Sequence, residues 1–121
     1  MSKDDCIFCK IGSGEIPVES VAKSEHCIAF RDIAPKQPVH ILVIPKRHYE
    51  NISELVANDT AVLVDLMQLG TRVAANYSNG SFRFTFNTGA QAGQTIFHAH
   101  GHITSRTPIG SSSANEGDFA K

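Results

Sequence analysis

The sequence predicts an α+β fold: an antiparallel five-stranded sheet with one short and one long helix. Three observations predict it. Residues 59–78 carry apolar side chains at helical spacing. Short β-branched or alternating segments lie on either side of that stretch, and no segment of the chain repeats. The expected order is short helix, three strands, long helix, two strands, with the strands forming a meander that the long helix covers.

The elements follow in order. "CIFCKIGSGEIP", residues 6–17, reads as a short helical turn stopped by Gly12–Ser13–Gly14 and Pro17. "VESVAKSEHCIAFRDI" reads as two strands, about 18–23 and 27–32, joined at Ser24–Glu25. Pro35 and Pro38 break the chain before the β-branched run "VHILVIP". The long helix places Val62, Leu66, Leu69, Val73 and Tyr77 on one stripe, which Leu63 and Met67 widen. Asn58 or Asp59 caps its start, and "SNG" at 78–80 stops it. In "SFRFTFN" the alternation of Phe82, Phe84 and Phe86 predicts a half-buried strand, and "IFHAHGHI" predicts the last one. Residues 1–106 form a single domain in this reading, and the small, polar residues 107–121 a flexible C-terminal tail.

The totals exclude several function classes. Apolar content of 41% and charged content of 19% suit an ordinary folded protein rather than a disordered one. Eleven basic and twelve acidic residues nearly cancel and no basic run stands out, so bulk nucleic-acid binding is not expected. No stretch approaches the ~18 apolar residues of a membrane span and the N-terminus has no apolar leader, so the expected location is cytoplasmic, with no membrane partner. Three cysteines make an odd count, which fits thiols or metal ligands better than a disulfide framework.

Half of the six histidines lie at every second position of "HAHGH", residues 98–102. On a strand, His98, His100 and His102 would share one face about 6.5–7 Å apart, with Phe97, Ala99, Gly101 and Ile103 turned to a core. The small Ala99 and Gly101 suggest a bulky neighbour behind them, such as the long helix. Three such residues span about 13 Å, too far for all to reach one tetrahedral ion with bonds near 2 Å. The row therefore fits an extended substrate better than a three-histidine metal. The preceding loop "NTGAQAGQT" has Gly89 and Gly93, which let backbone N–H groups approach an anion, and Gln94 and Thr95 as side-chain donors. It contains no P-loop. Histidine is a competent phosphorus nucleophile near neutral pH, because its neutral form is abundant there.

With "AGQT" upstream, this row resembles the histidine triad (HIT) family. "CIFCKIGSGEIP", "AFRDIAPKQPVHILVIPKRH" and "NTGAQAGQTIFHAH" resemble segments of its small bacterial-type nucleotide hydrolases, in the same order, over residues 6–106. The resemblance implies a nucleotidyl hydrolase or transferase that cleaves purine nucleoside 5′-phosphoramidates or related AMP conjugates at the α-phosphate. It implies that His100 attacks, that His102 holds phosphate oxygens, that His98 helps set His100, and that His40 is the fourth catalytic histidine. Asn87, Gly93, Gln94 and Thr95 match phosphate-side positions, and Asp32 and Ile33 match the ribose contact. Ile7, Phe8, Ile11 and Phe30 match the apolar slot for the base. A homodimer pairing the long helices is implied too. Dinucleoside polyphosphate hydrolysis is the alternative reaction, and a nucleotide- or zinc-binding interaction module the alternative of another class. Three departures bear on the leaving group: Gly101 replaces a larger apolar residue, the strand ends "ITSR", and the chain has no Trp.

Cys6 and Cys9 have zinc-ligand spacing, but one Cys-x2-Cys is half a structural site. Taken alone it is also compatible with two plain thiols or a redox pair. The resemblance implies structural zinc, with His48 and His98 completing the ligand set. Cys27, inside a strand, reads as a core residue.

Overall fold

The computed structural model describes residues 5–108. Nine elements follow one another: α1 (Ile7–Ser13), β1 (Ser20–Lys23), β2 (Cys27–Arg31), β3 (Val39–Pro45), α2 (Ile52–Asn58), α3 (Thr60–Ser78), β4 (Arg83–Thr85), a 3-10 turn (Ala90–Ala92) and β5 (Gly101–Ser105). The strands form one five-stranded antiparallel sheet in the order β1-β2-β3-β5-β4. The expected α+β class holds, with one change of topology. Only β1, β2 and β3 form a meander; β5 enters between β3 and β4, which places the histidine stretch at the middle of the sheet rather than its edge.

Each face of the sheet has its own apolar layer. Cys27, Ala29, Ile41, Val43, Ala99 and Ile103 pack under α3, which contributes Val62, Leu66, Leu69 and Val73. Ile28, Phe30, Leu42 and Ile44 face the other way, against Phe8 and Ile11 of α1. β3 is buried along its whole length because both faces are covered, which is why "VHILVIP" shows no polar alternation. Met67, expected on the α3 stripe, is instead 36% exposed on the outer side of the helix.

α2 is an addition to the predicted elements. Asn51 caps it by accepting from the Glu54 N–H, and the Glu54 carboxylate accepts from the Glu50 N–H. This is a close variant of a capping box, written in the sequence as "NISE". Asp59 then ends α2 and starts α3. Its carboxylate accepts from the Val62 N–H and, at 2.7 Å, from the Tyr49 hydroxyl.

Gly101 does make room for bulk, but for Phe84 and Phe86 rather than for the helix. A Cβ at Gly101 would overlap the Phe84 ring and lie 2.8 Å from Phe86 Cε1. A Cβ at Gly70 of α3 would meet the same Phe84 ring. Phe84 is therefore held between two glycines and stacked on Phe86, with ring centroids 4.9 Å apart. Thr107, placed at the start of the expected tail, accepts from and donates to the main body: its hydroxyl reaches the Ser78 carbonyl at 3.2 Å and pairs with Ser105. The rest of that segment from residue 109 lies outside the described residues.

Candidate active site and metal cluster

The histidine row is not one straight strand. β5 begins only at Gly101, so His102 is the one triad member inside it, and residues 96–98 bend before it. The bend has a cause. The Ala99 N–H donates to the Tyr49 carbonyl, drawing the chain towards the loop after β3, and the His98 carbonyl takes a side-chain donor. As a result the His98 ring does not share a face with the other two. It is fully buried and turned towards Cys6, Cys9 and His48.

His98 meets His100 through its backbone carbonyl rather than its ring. The His100 Nδ1–H donates to the His98 carbonyl at 2.7 Å. That fixes the proton on Nδ1 and leaves the Nε2 lone pair free. Burial holds His100 below its ordinary range, although the His98 carbonyl and Asp32 oppose this, so the neutral ring is the form present near pH 7. Phe8 packs edge-on against it, with centroids 5.0 Å apart. Next in the row, His102 lies with its ring centroid 5.0 Å from that of His100 and its Nδ1 3.1 Å from His40 Nε2. Burial, with His100 and His40 adjoining it, pushes His102 down to about 4.

These rings border a cavity of about 980 Å³, at the upper end of the size of small-molecule sites. His100 and His102 line it together with Ile7, Phe8, Ile11, Phe30, Asp32, Ile33, Asn87, Gly93 and Thr95, so eleven of the predicted site residues converge. Phe8 and Phe30 meet edge-to-face at 6.0 Å. Ile33 is fully exposed at the rim. Gly93 adopts φ +92 as the cap of the 3-10 turn, a conformation that favours glycine, and Asn87 Nδ2 donates across the loop to the Ala92 carbonyl.

Besides His98, two predicted catalytic or substrate-side positions lie off the cavity wall. His40 is buried behind His102, off the cavity wall, with Nε2 3.3 Å from Asp32 Oδ2. Gln94, expected to donate towards an anion, points inward at 3% exposure. Its amide donates to the Glu50 and Ile96 carbonyls and its oxygen accepts from the Gly89 N–H. Its backbone N–H is committed to the Gly89 carbonyl as well. Gln94 thus braces the loop and has no donor left for the cavity. The wall also includes Ile96, which the alternation puts on the histidine face, and Val18 and Leu42, which sequence reasoning missed. Of those two, only Leu42 left a signal there, two residues from His40 on the same face of β3.

The second cluster lies off the cavity wall, with the His98 ring edge-on to Phe8 at 5.9 Å between centroids. Cys6 caps α1 and accepts from the Cys9 N–H, which brings both sulfurs to one side of the helix start. His48 arrives from the loop after β3. Cys6 Sγ lies 3.3 Å from His98 Nδ1, and Cys9 Sγ lies 3.2 Å from His48 Nδ1 and 3.4 Å from His98 Nδ1. Tetrahedral zinc with bonds of about 2.0–2.3 Å would separate its ligand atoms by roughly 3.3–3.8 Å, so the four donors fit such an ion with little movement. His98 Nε2–H donates to the Pro45 carbonyl at 2.8 Å, which keeps the proton off Nδ1. Burial pushes His98 down to about 4, against that hydrogen bond. Cys27 belongs to neither cluster and packs in the core under α3; burial and Asp65 push its thiol up to about 12, as suits an inert core residue.

Fold and site together define a small α+β protein with a histidine row set between an apolar cavity and a Cys/His cluster. Residues 5–115 match the family model described as "Scavenger mRNA decapping enzyme C-term binding". A HIT-like protein of Synechocystis is 42% identical over 88% of this chain and 94% of its own length. Protein HitA of Neisseria gonorrhoeae is 36% identical over 88% of this chain and 99% of its own. Among solved structures, a HIT family hydrolase from Clostridium thermocellum superposes with TM-score 0.80 at 34% identity, covering 93% of this chain and 99% of that one. The chain belongs to the histidine triad family.

Proposed function

We propose that the protein is a nucleotidyl hydrolase that cleaves purine nucleoside 5′-phosphoramidates, or related AMP conjugates, through a covalent His100 intermediate. One observation carries this reading: the Nδ1–H of a neutral, cavity-lining His100 is spent on the His98 carbonyl, so the nucleophilic lone pair is on Nε2. In the first step that pair forms a bond to the α-phosphorus while the bond to the leaving group breaks, the departing amine taking up a proton from solvent. In the second, water attacks phosphorus and gives up a proton to solvent, the N–P bond breaks, and its electron pair returns to Nε2. Phe8, Ile7, Ile11 and Phe30 supply an apolar slot that suits the face of a purine, with Asp32 and Ile33 beside the ribose. Asn87, Gly93 and Thr95 line the phosphate side, and His102 stabilises charge as it develops. Relatives whose names include "HIT family hydrolase" support the hydrolase reading.

The same reading assigns structural zinc to Cys6, Cys9, His48 and His98. The ion would tie α1, the loop after β3 and the start of the histidine row together, with all four positions taken by protein. It also assigns a homodimer across α3, where Val64 and Met67 are 51% and 36% exposed, and a cytoplasmic location. No helix among the described residues is long and apolar enough to cross a membrane.

The test is turnover of an adenosine 5′-phosphoramidate beside diadenosine polyphosphates, with His100→Ala as control. Phosphoramidate turnover abolished by the substitution, with an adenylylated His100 trapped by rapid quench, is the expected result. Preference for the polyphosphates would reassign the leaving group, and full activity in His100→Ala would overturn the nucleophile.

A further inference from the structure

Two clusters in this molecule look alike by distance and differ in chemistry. Asp32, His40 and His102 offer ligand atoms within 4.8 Å of one another, as the Cys6, Cys9, His48, His98 group does. Spacing alone would allow a cation in either. What separates them is the partner of the remaining ring nitrogen. At His98 that partner is a carbonyl, which takes the Nε2 proton and frees Nδ1 for a metal. At His40 it is a donor: the backbone N–H of Lys36 points at Nδ1 from 3.0 Å.

A ring nitrogen that accepts a hydrogen bond carries no proton, so neutral His40 is protonated on Nε2 and has no lone pair there for a metal. That Nε2–H faces two acceptors, His102 Nδ1 at 3.1 Å and Asp32 Oδ2 at 3.3 Å. Two N–H groups cannot face each other at that separation. His102 Nδ1 is therefore bare, and its proton is on Nε2.

We propose that the Lys36 backbone amide, acting through His40, locks His102 as the Nε2–H tautomer, making it a fixed neutral donor to an anion and excluding a metal from the Asp32–His40–His102 cluster. Lys36 and His40 are positioning residues in this scheme. The local sequence suits the task. In "APKQPVH" the prolines at 35 and 38 have no N–H, so Lys36 and Gln37 carry the only amides of the turn between them. His102 is held neutral near pH 7 by its burial, which is consistent with a donor whose proton comes from tautomer choice rather than from charge. Its use against a phosphate rests on the hydrolase reading; the tautomers themselves do not.

The test is proton–nitrogen correlation NMR of the imidazole nitrogens at neutral pH, on protein whose Cys/His cluster is loaded with zinc, with assignments from His40→Gln and His102→Gln. Both rings are expected as Nε2–H with a bare Nδ1, and further zinc should leave their resonances unmoved. An Nδ1–H on either ring, or a shift of both on adding zinc, would overturn the proposal. Lys36→Pro deletes the amide and should return His40 to a mixture of tautomers, whereas Lys36→Ala keeps the amide and should keep both tautomers. If Lys36→Pro does not fold, the parent spectrum still decides. In a folded Lys36→Pro protein kcat should fall about 10- to 100-fold, a part of the roughly 100- to 1,000-fold that such a donor is usually worth, with KM little changed. Loss of phosphoramidate turnover in the parent would sink the hydrolase reading while leaving the tautomer result standing.

Discussion

Replacing Gly101 by alanine should destabilise the fold and disturb both neighbouring histidines. Gly101 lies outside the left-handed backbone region, so the cost is steric. The new Cβ would overlap the Phe84 ring and sit 2.8 and 3.0 Å from Phe86 Cε1 and Cζ. Phe84 has no retreat, because its other edge already occupies the space a Cβ would need at Gly70 and its face is stacked on Phe86. Overpacking of this kind costs about 1–3 kcal/mol. The lower chain entropy of unfolded alanine offsets about 0.4–1 kcal/mol. A net loss of roughly 1–2 kcal/mol follows, or about 4–8 °C in Tm for a domain of this size. Thermal and urea unfolding of the parent, Gly101→Ala, Phe84→Leu and the double variant form the assay. The double variant should be more stable than the summed single effects by ~1 kcal/mol or more, because the smaller side chain makes room for the methyl. Additivity within ~0.5 kcal/mol, or an unchanged Tm in Gly101→Ala, would refute the argument. Turnover should fall as well, since a ~1 Å shift of reacting groups costs on the order of 100-fold.

Cys9→Ser should lower bound zinc from about one ion per chain to near zero and lower Tm, because the Cys/His cluster ties three segments together; a parent purified without metal would count against the site. Asp65→Asn should cost about 2 kcal/mol at pH 7, since the carboxylate accepts from the Ser24 hydroxyl at 2.7 Å and the His26 N–H at 2.9 Å and so ties the β1–β2 turn to α3. Burial raises the Asp65 pKa, but these hydrogen bonds together outweigh it and hold it below the ordinary carboxylate value. Its stabilisation is thus complete above that value and lost as pH falls through the depressed one, so the parent should lose stability more steeply in acid than Asp65→Asn; parallel acid curves would contradict this. Gln94→Ala should cost about 1–3 kcal/mol by orphaning the Gly89 N–H and the Glu50 and Ile96 carbonyls. It should also raise KM as the loop loosens; a change in kcat alone would instead place Gln94 against the reacting phosphate.

Much of this molecule was legible in periodicity and punctuation. Val62, Leu66, Leu69 and Val73 announce α3 because one wide face must be buried, and "VHILVIP" announces β3 because two faces are. What stayed hidden is set by partners distant in sequence. No local pattern says that β5 inserts between β3 and β4. The late start of β5 depends on the Tyr49 carbonyl, about fifty residues upstream, taking the Ala99 N–H. Gln94 has the right chemistry for an anion and is turned inward by three backbone groups that no spacing reveals. α2 was overlooked although "NISE" carries its cap, because seven residues with a single buried side chain, Leu55, leave almost no apolar stripe.

The triad makes the same point at the level of one functional group. His98, His100 and His102 are chemically identical residues, and alternation can say only that they belong together. Their differences come from what meets the second ring nitrogen. The Pro45 carbonyl takes the Nε2 proton of His98 and leaves Nδ1 bare towards Cys6 and Cys9. The His98 carbonyl takes the Nδ1 proton of His100 and leaves the Nε2 lone pair free. The Lys36 amide, relayed by His40, does the reverse for His102 and turns Nε2 into a donor. The proposed roles of ligand, nucleophile and donor thus rest on two carbonyls and one amide of the main chain. A side-chain substitution in those supporting segments would leave the assignment standing so long as the backbone path holds, and proline at 36 is the change that removes one of the three.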